Sequence, residues 1–208
     1  MKYRVLTVDR EFGSGGARIA GAIAGKLGWK VLDGEIIDAI ARAAHVDPKV
    51  VIHYDERVDS WLRRMNDQAI RGMALGSNQP VGEGDLFDAY VMTELTRKIV
   101  EEAYSGGSCV IVGRGAQCIL ENKPDVFKVF VYAPFPERAC RLCARLAKGV
   151  NVEHRMRTVD EERAKYIQQR FGKHWCNPHL YDLMISSNED EDSTAGVILH
   201  AMTGVNRE

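Results

Sequence analysis

The stretch from Val5 to Gly28 constrains this chain more than any other. A short apolar run from Arg4 to Val8 reads as a buried strand, and Gly13-Ser14-Gly15-Gly16 follows it. From Ala17 to Leu27, the residues Ile19, Ala20, Ile23, Ala24 and Leu27 share one face at helical spacing. Strand, glycine-rich turn and helix in that order aim several backbone N–H groups at one place. The helix N-terminus adds about half a positive charge there, so the place favours phosphate. The bland alternative is a turn that lets the helix pack tightly on its strand.

The usual phosphate loop reads G-x-x-x-x-G-K-[ST]. If Gly15 takes the second glycine position, Gly16 stands where the lysine belongs. The hydroxyl position, which would hold magnesium, is then Ala17, or Arg18 in the one-residue-longer variant of the loop. The backbone cradle is kept while two side-chain functions are missing.

The rest of the chain reads as strands alternating with helices, which predicts a parallel sheet covered on both faces. Lys30-Val31-Leu32 is a short strand, and Asp33 follows at its C-terminal end, either to contact ligand or to cap a helix starting near Gly34. From His45 to Tyr104 the pattern is helical, interrupted by the polar loop Leu75–Gly84. Its first half, where Val58, Trp61, Leu62, Met65 and Ala69 repeat at helical spacing, is either an arm over a substrate cleft or a plain helical insertion or dimer surface. Cys109–Val112 and Val126–Tyr132 are further strands, and Tyr181–Ser186 is the last. Arg114 sits between two glycines after Val112, where its planar fork could grip a phosphate or base edge, or hold a turn by pairing with an acid. Thr194–Thr203 closes the chain as a helix, with Ser193 or Asp192 as its cap.

Arg138, Arg141, Arg145 and Lys148 follow one another at spacings of three, four and three in the helical run Pro136–Lys148, and Arg163 and Arg170 follow on the next helix. This is either a solvated face or a lid whose arginines neutralise polyphosphate charge.

The chain has 208 residues, 45% of them apolar and 27% charged, which fits one α/β domain with an insertion. A net charge of −1 does not suggest a nucleic-acid-coating protein, and no apolar run reaches the ~20 residues that span a bilayer. With no signal-peptide pattern at its start, the chain reads as cytoplasmic. Five cysteines show no framework spacing; one or both of Cys140 and Cys143 are expected to be small buried residues rather than metal ligands.

Asp9-Arg-Glu-Phe-Gly-Ser-Gly-Gly16, Ile19-Ala and Ala24-Gly-Lys-Leu-Gly28 resemble the opening signature of the cytidylate kinase-like family, a branch of the P-loop nucleoside monophosphate kinases. Val110–Gly115, Val129–Ala133 with Glu137-Arg138, and Val159–Tyr166 are similar to later segments of that family. The resemblance implies a five-stranded parallel sheet with helices on both faces, a helical acceptor arm near residues 45–104 and an arginine-bearing lid near residues 145–172. It implies ATP with Mg2+ as phosphoryl donor, and CMP or dCMP as acceptor. By that resemblance Gly13, Ser14, Gly15, Gly16, Ala17 and Arg18 hold the donor phosphates. Arg141, Arg145, Arg163 and Arg170 are lid arginines, and Arg114 touches the cytidine nucleotide. The chain departs from the family where lysine is replaced by Gly16 and a hydroxyl residue by Arg18. It departs again at Gly34, Ala39 and Gly115, where acceptor-gripping residues are expected. Arg10 or Arg18 is expected to supply the missing charge, and Asp33 is the candidate general base. A nucleotide sensor without turnover, or a kinase for another acceptor, are the alternative readings. Oligomeric state is not legible.

Overall fold

The structure, a computed structural model, describes residues 2–33, 83–147, 149–187 and 190–204. The chain divides into two compact units, one made of Met1–Asp33 with Val100–Glu208 and the other of Gly34–Ile99. Within the second unit only residues 83–99 are described. The arm expected from Val58, Trp61, Leu62, Met65 and Ala69 therefore lies outside the described residues.

Among the described residues of the first unit, five strands form one parallel sheet. They are β1 (Val5–Arg10), β2 (Lys30–Leu32), β3 (Cys109–Val112), β4 (Val126–Tyr132) and β5 (Leu183–Ser186), in the order β2-β3-β1-β4-β5. The central strand β1 pairs Leu6 with Val110 on one side and Phe127 on the other, and reaches Arg10 opposite Val131. Because every pairing is parallel, all five C-terminal strand ends lie on the same edge. That edge receives the glycine turn, Asp33, Gly113–Gly115, Ala133 and Ser187.

β1 is buried from Val5 to Asp9, and its side chains alternate between the two faces of the sheet. Leu6 and Val8 join Val110, Val112, Val129 and Val131 under α1 (Gly16–Leu27). The last described helix, Glu191–Thr203, packs Ala195, Ile198 and Met202 into the same core. The opposite face holds Phe130, Cys118, Ile167, Trp175 and Leu180. Fully burying one such aliphatic or aromatic side chain contributes about 1.5–3 kcal/mol, so the two layers fix β1 firmly from both sides.

The remaining helices in chain order are α2 (Glu83–Gly106), α3 (Ala116–Ile119), α4 (Phe135–Cys143) and α5 (Val152–Phe171), with Glu191–Thr203 as α6. α4 is shorter than the run expected to reach Lys148. Its buried face carries Arg138 and Leu142, which turns Cys140 and Cys143 outward. Both are exposed, contrary to the expectation that they are small core residues; Cys109 and Cys118 are the buried thiols. α6 starts three residues earlier than expected, because the Asp190 side chain accepts from Ser193 N–H and caps it in place of Ser193 or Asp192.

Candidate active site

The turn after β1 is held by its carbonyls, and that aims its amides. Arg138 Nη1 donates to Phe12 O at 3.1 Å, and Arg141 Nη1 donates to Ser14 O at 3.1 Å. Ser187 Oγ also donates to Ser14 O. A trans peptide unit points its C=O and N–H in opposite directions. Pulling the carbonyls of Phe12 and Ser14 toward α4 and β5 therefore turns the N–H groups of Gly13 and Gly15 the other way. Among the described residues, the amides of Gly13, Gly15, Gly16 and Ala17 meet no acceptor. Gly13 and Gly15 have φ of 84° and 83°, a left-handed backbone that glycine adopts without steric cost. Gly15, the cap residue of α1, brings no side chain to the first amides of the helix, the arrangement found where helix N-termini bind anions. Ser14 is wholly buried and its Oγ has no hydrogen-bond partner.

A buried ionic group underpins this turn. Arg138 Nη1 donates to Asp160 Oδ2 at 2.5 Å, and Arg138 Nε lies 3.3 Å from Glu11 Oε2. Asp160 Oδ1 accepts Phe12 N–H at 2.7 Å, and Glu11 Oε2 accepts Ala133 N–H at 3.1 Å. Arg141 Nη2 donates to Ser187 O at 2.5 Å and Nη1 to Ser187 Oγ at 3.1 Å, tying the turn to the end of β5. Arg163 on α5 donates from Nη1 to Arg10 O at 2.6 Å.

Behind the turn, Asp9 is buried on the other face of the sheet. It accepts from Gln117 Nε2 and Trp175 Nε1, both at 2.8 Å, and from Arg10 N–H at 2.9 Å. Tyr181 OH donates to Trp175 O at 2.8 Å, and burial pushes its hydroxyl pKa up, so it remains a donor.

The structure sorts the expected residues into groups. Arg10, Gly13, Ser14, Gly15, Gly16, Ala17, Arg141 and Arg163 meet at the turn. Asp33 joins them through Arg10 Nη2, 3.8 Å from its Oδ1. Arg114, half-buried at the end of β3, has φ 60° between Gly113 at 74° and Gly115 at 68°. A Cβ on Gly115 would lie 2.5 Å from Phe171 Cε2, so α5 closes directly over this bend. Arg18 is about half exposed and pairs with Glu191. Arg145 is exposed just beyond α4, and Arg170 Nε is buried without a hydrogen-bond partner.

Several residues at the site have no role legible from sequence. Glu11 lies inside the quoted signature, yet nothing in its spacing points to Arg138. Asp160 likewise lies inside the quoted segment Val159–Tyr166 without any spacing that ties it to Arg138, and Ser187 carries no signal. Glu191 stands in an acidic run with no site signal of its own, whereas its Oε1 lies 2.8 Å from where a Gly15 Cβ would stand.

These features recur in known proteins at the level of family and fold. Among curated protein sequences none matches the chain. An uncharacterized protein from Eubacterium ventriosum ATCC 27560 superposes with a TM-score of 0.65 at 23% identity, over 98% of this chain and 99% of that one. Shikimate kinase from Acinetobacter baumannii, solved with shikimate, superposes at 0.53 with 15% identity over 99% and 96%. A gluconokinase from Sinorhizobium meliloti 1021 gives 0.53 with 16% identity over 96% and 91%. The fold is thus that of the P-loop kinases, a parallel five-stranded sheet flanked by helices. The profile of the cytidylate kinase-like family matches residues 5–189, and the chain belongs to that family.

Proposed function

We propose that this protein transfers the γ-phosphoryl group of ATP to a nucleoside monophosphate, with CMP or dCMP as the acceptor. The observation that carries the reading is the row of amides at Gly13, Gly15, Gly16 and Ala17, turned outward at the N-terminus of α1 and without acceptors among the described residues. A polyphosphate fits that row: its oxygens satisfy the amides, and the helix dipole favours its charge. Arg138 and Arg141 hold the row in place by gripping the loop carbonyls. Arg163, anchored on Arg10 O, and Arg145 are the arginines assigned to neutralise charge on the transferred group. Asp33 and Arg114, at the ends of β2 and β3, are the candidate acceptor contacts.

Magnesium fits less well. Ala17 and Arg18 offer no side-chain oxygen where the loop hydroxyl belongs. The carboxylates at the rim, Asp33 and Glu191, are each paired with an arginine. No step is assigned to the metal. What the protein supplies is position and fixed positive charge, which is most of what phosphoryl transfer requires.

A second reading, a nucleotide-binding sensor without turnover, is favoured by Gly16 and Ala17, which lack the side chains that usually act on the transferred phosphate. ADP formation from Mg-ATP, measured against a panel of nucleoside monophosphates, nucleosides and sugars, separates the two. Turnover that requires CMP or dCMP is the expected result. Turnover with another acceptor keeps the chemistry and replaces the acceptor. ATP binding with no turnover on any acceptor selects the sensor.

A further inference from the structure

The position of the missing lysine is not empty. A Cβ on Gly16 would lie 2.6 Å from Arg10 Cβ and 3.0 Å from Arg10 Cγ, so the Arg10 stem already fills the space from which a loop lysine would start. The side chain continues from the end of β1 across the start of α1 to the end of β3, where its Nη1 overlaps the place of a Gly113 Cβ. Two glycines on separate segments are thus vacated for one arginine. Its backbone is clamped: Arg10 N–H donates to Asp9 Oδ1 and Arg10 O accepts from Arg163.

The guanidinium at the end of this path has no hydrogen-bond acceptor among the described residues. The Arg10 side chain is only 17% exposed, and its nearest anion, Asp33 at 3.8 Å, is beyond hydrogen-bond reach. Five N–H donors are left for water or a ligand. Arg18, the other cation near the loop, differs on each point. It is about half exposed and bound to Glu191.

We propose that Arg10 performs the part of the absent loop lysine, gripping the oxygens of the polyphosphate seated on the Gly13–Ala17 amides, with Asp33 orienting its guanidinium before ligand binds. The proposal rests on reading that turn as a polyphosphate cradle. A guanidinium held on a strand end approaches as a rigid fork able to make two parallel N–H···O bonds, where a lysine is a mobile point charge.

The test is calorimetric titration of ATP and of inorganic tripolyphosphate into the full chain and its variants. Arg10→Met keeps the stem against Gly16 and removes the charge; affinity for both ligands falls on the order of 100-fold, while adenosine, which carries no phosphate, binds as before. Arg10→Lys keeps stem and charge but loses the fork, and drops about tenfold. The double variant Arg10→Gly, Gly16→Lys clears the 2.6 Å overlap, returns the cation to the usual motif position and recovers most of the affinity. Retained binding in Arg10→Met, or a loss seen in Arg18→Met but not in Arg10→Met, overturns the role of Arg10 and leaves the cradle standing. An unaltered chain that binds neither ATP nor tripolyphosphate overturns both. Arg10→Met that fails to melt cooperatively shifts the decision to Arg10→Lys and the double variant, whose unchanged and unrecovered affinities respectively would refute the proposal.

Discussion

Replacing Arg138 by Met should remove the keystone beneath the glycine turn that follows β1. The Arg138 side chain is 8% exposed, with Asp160 at 2.5 Å and Glu11 at 3.3 Å, themselves 18% and 24% exposed. At an effective dielectric constant of about 20, the two attractions are roughly 7 and 5 kcal/mol before desolvation is counted. Desolvation of three charges cancels most of that, so the pair energies are no measure of net stability. The variant, however, leaves two carboxylates near each other without their cation. Breaking a buried pair from one side costs about 3–5 kcal/mol, and the lost bond to Phe12 O adds about 1 kcal/mol. Against a total stability of about 5–15 kcal/mol, Arg138→Met should be marginally folded.

Urea unfolding followed by far-ultraviolet circular dichroism measures this directly. Adding Glu11→Gln and Asp160→Asn to Arg138→Met should restore more than half of the loss. Neutral amides tolerate the site without a cation, and the amide oxygen introduced by Asp160→Asn can still accept from Phe12 N–H. A loss below about 1 kcal/mol in the single variant would place these residues with ordinary surface ion pairs and refute the buried-keystone argument. So would a triple variant no more stable than the single one.

Thiol accessibility gives a second test. Burial pushes Cys109 to about 11 and Cys118 to about 12, and both lie in the interior. Alkylation at pH 8, mapped by mass spectrometry, should modify the exposed Cys140, Cys143 and Cys176 in the native protein and reach Cys109 and Cys118 only after denaturation. Early labelling of Cys118 would contradict the packing of α3. A third test concerns acid. The Arg4 guanidinium, helped by the Tyr104 hydroxyl, holds the Asp125 carboxyl below its usual value of 3.8. Its contribution is present above that value and disappears as pH falls through the lower, folded-state value. Between pH 5 and pH 3, Asp125→Asn should therefore lose less stability than the unaltered chain; parallel losses would show that the Arg4–Asp125 tie does not act in the folded state.

Much of the architecture is legible in the order of residues. β3 and β4 occur at their expected bounds because a strand buried on both faces of a parallel sheet is a largely apolar run, as in Cys109–Val112, and the short, more open edge strand β2 also keeps its expected bounds. α1 follows from the period of Ile19, Ala20, Ile23 and Ala24, and the turn before it from Gly13 and Gly15, whose left-handed backbone few other residues accept. The acidic start of α6 is less legible, since Asp190, Asp192 and Ser193 are all competent caps by residue type, and the structure uses Asp190.

By itself, then, the sequence determined which segments form the sheet and that a glycine turn opens onto α1, because both depend on residues close in the chain. Only the tertiary structure decided what each charge does. Arg138, Arg141 and Arg145 belong to one stripe in sequence, yet one is buried between Glu11 and Asp160, one is tied to Ser14 and Ser187, and one faces water. Arg10 and Arg18 are equivalent candidates until Gly113 and Asp33 are placed beside the first and Glu191 beside the second. Helical period fixes which face a side chain leaves from, but a charge is defined by the partners the strand order brings to it, and these come from segments far apart in the chain.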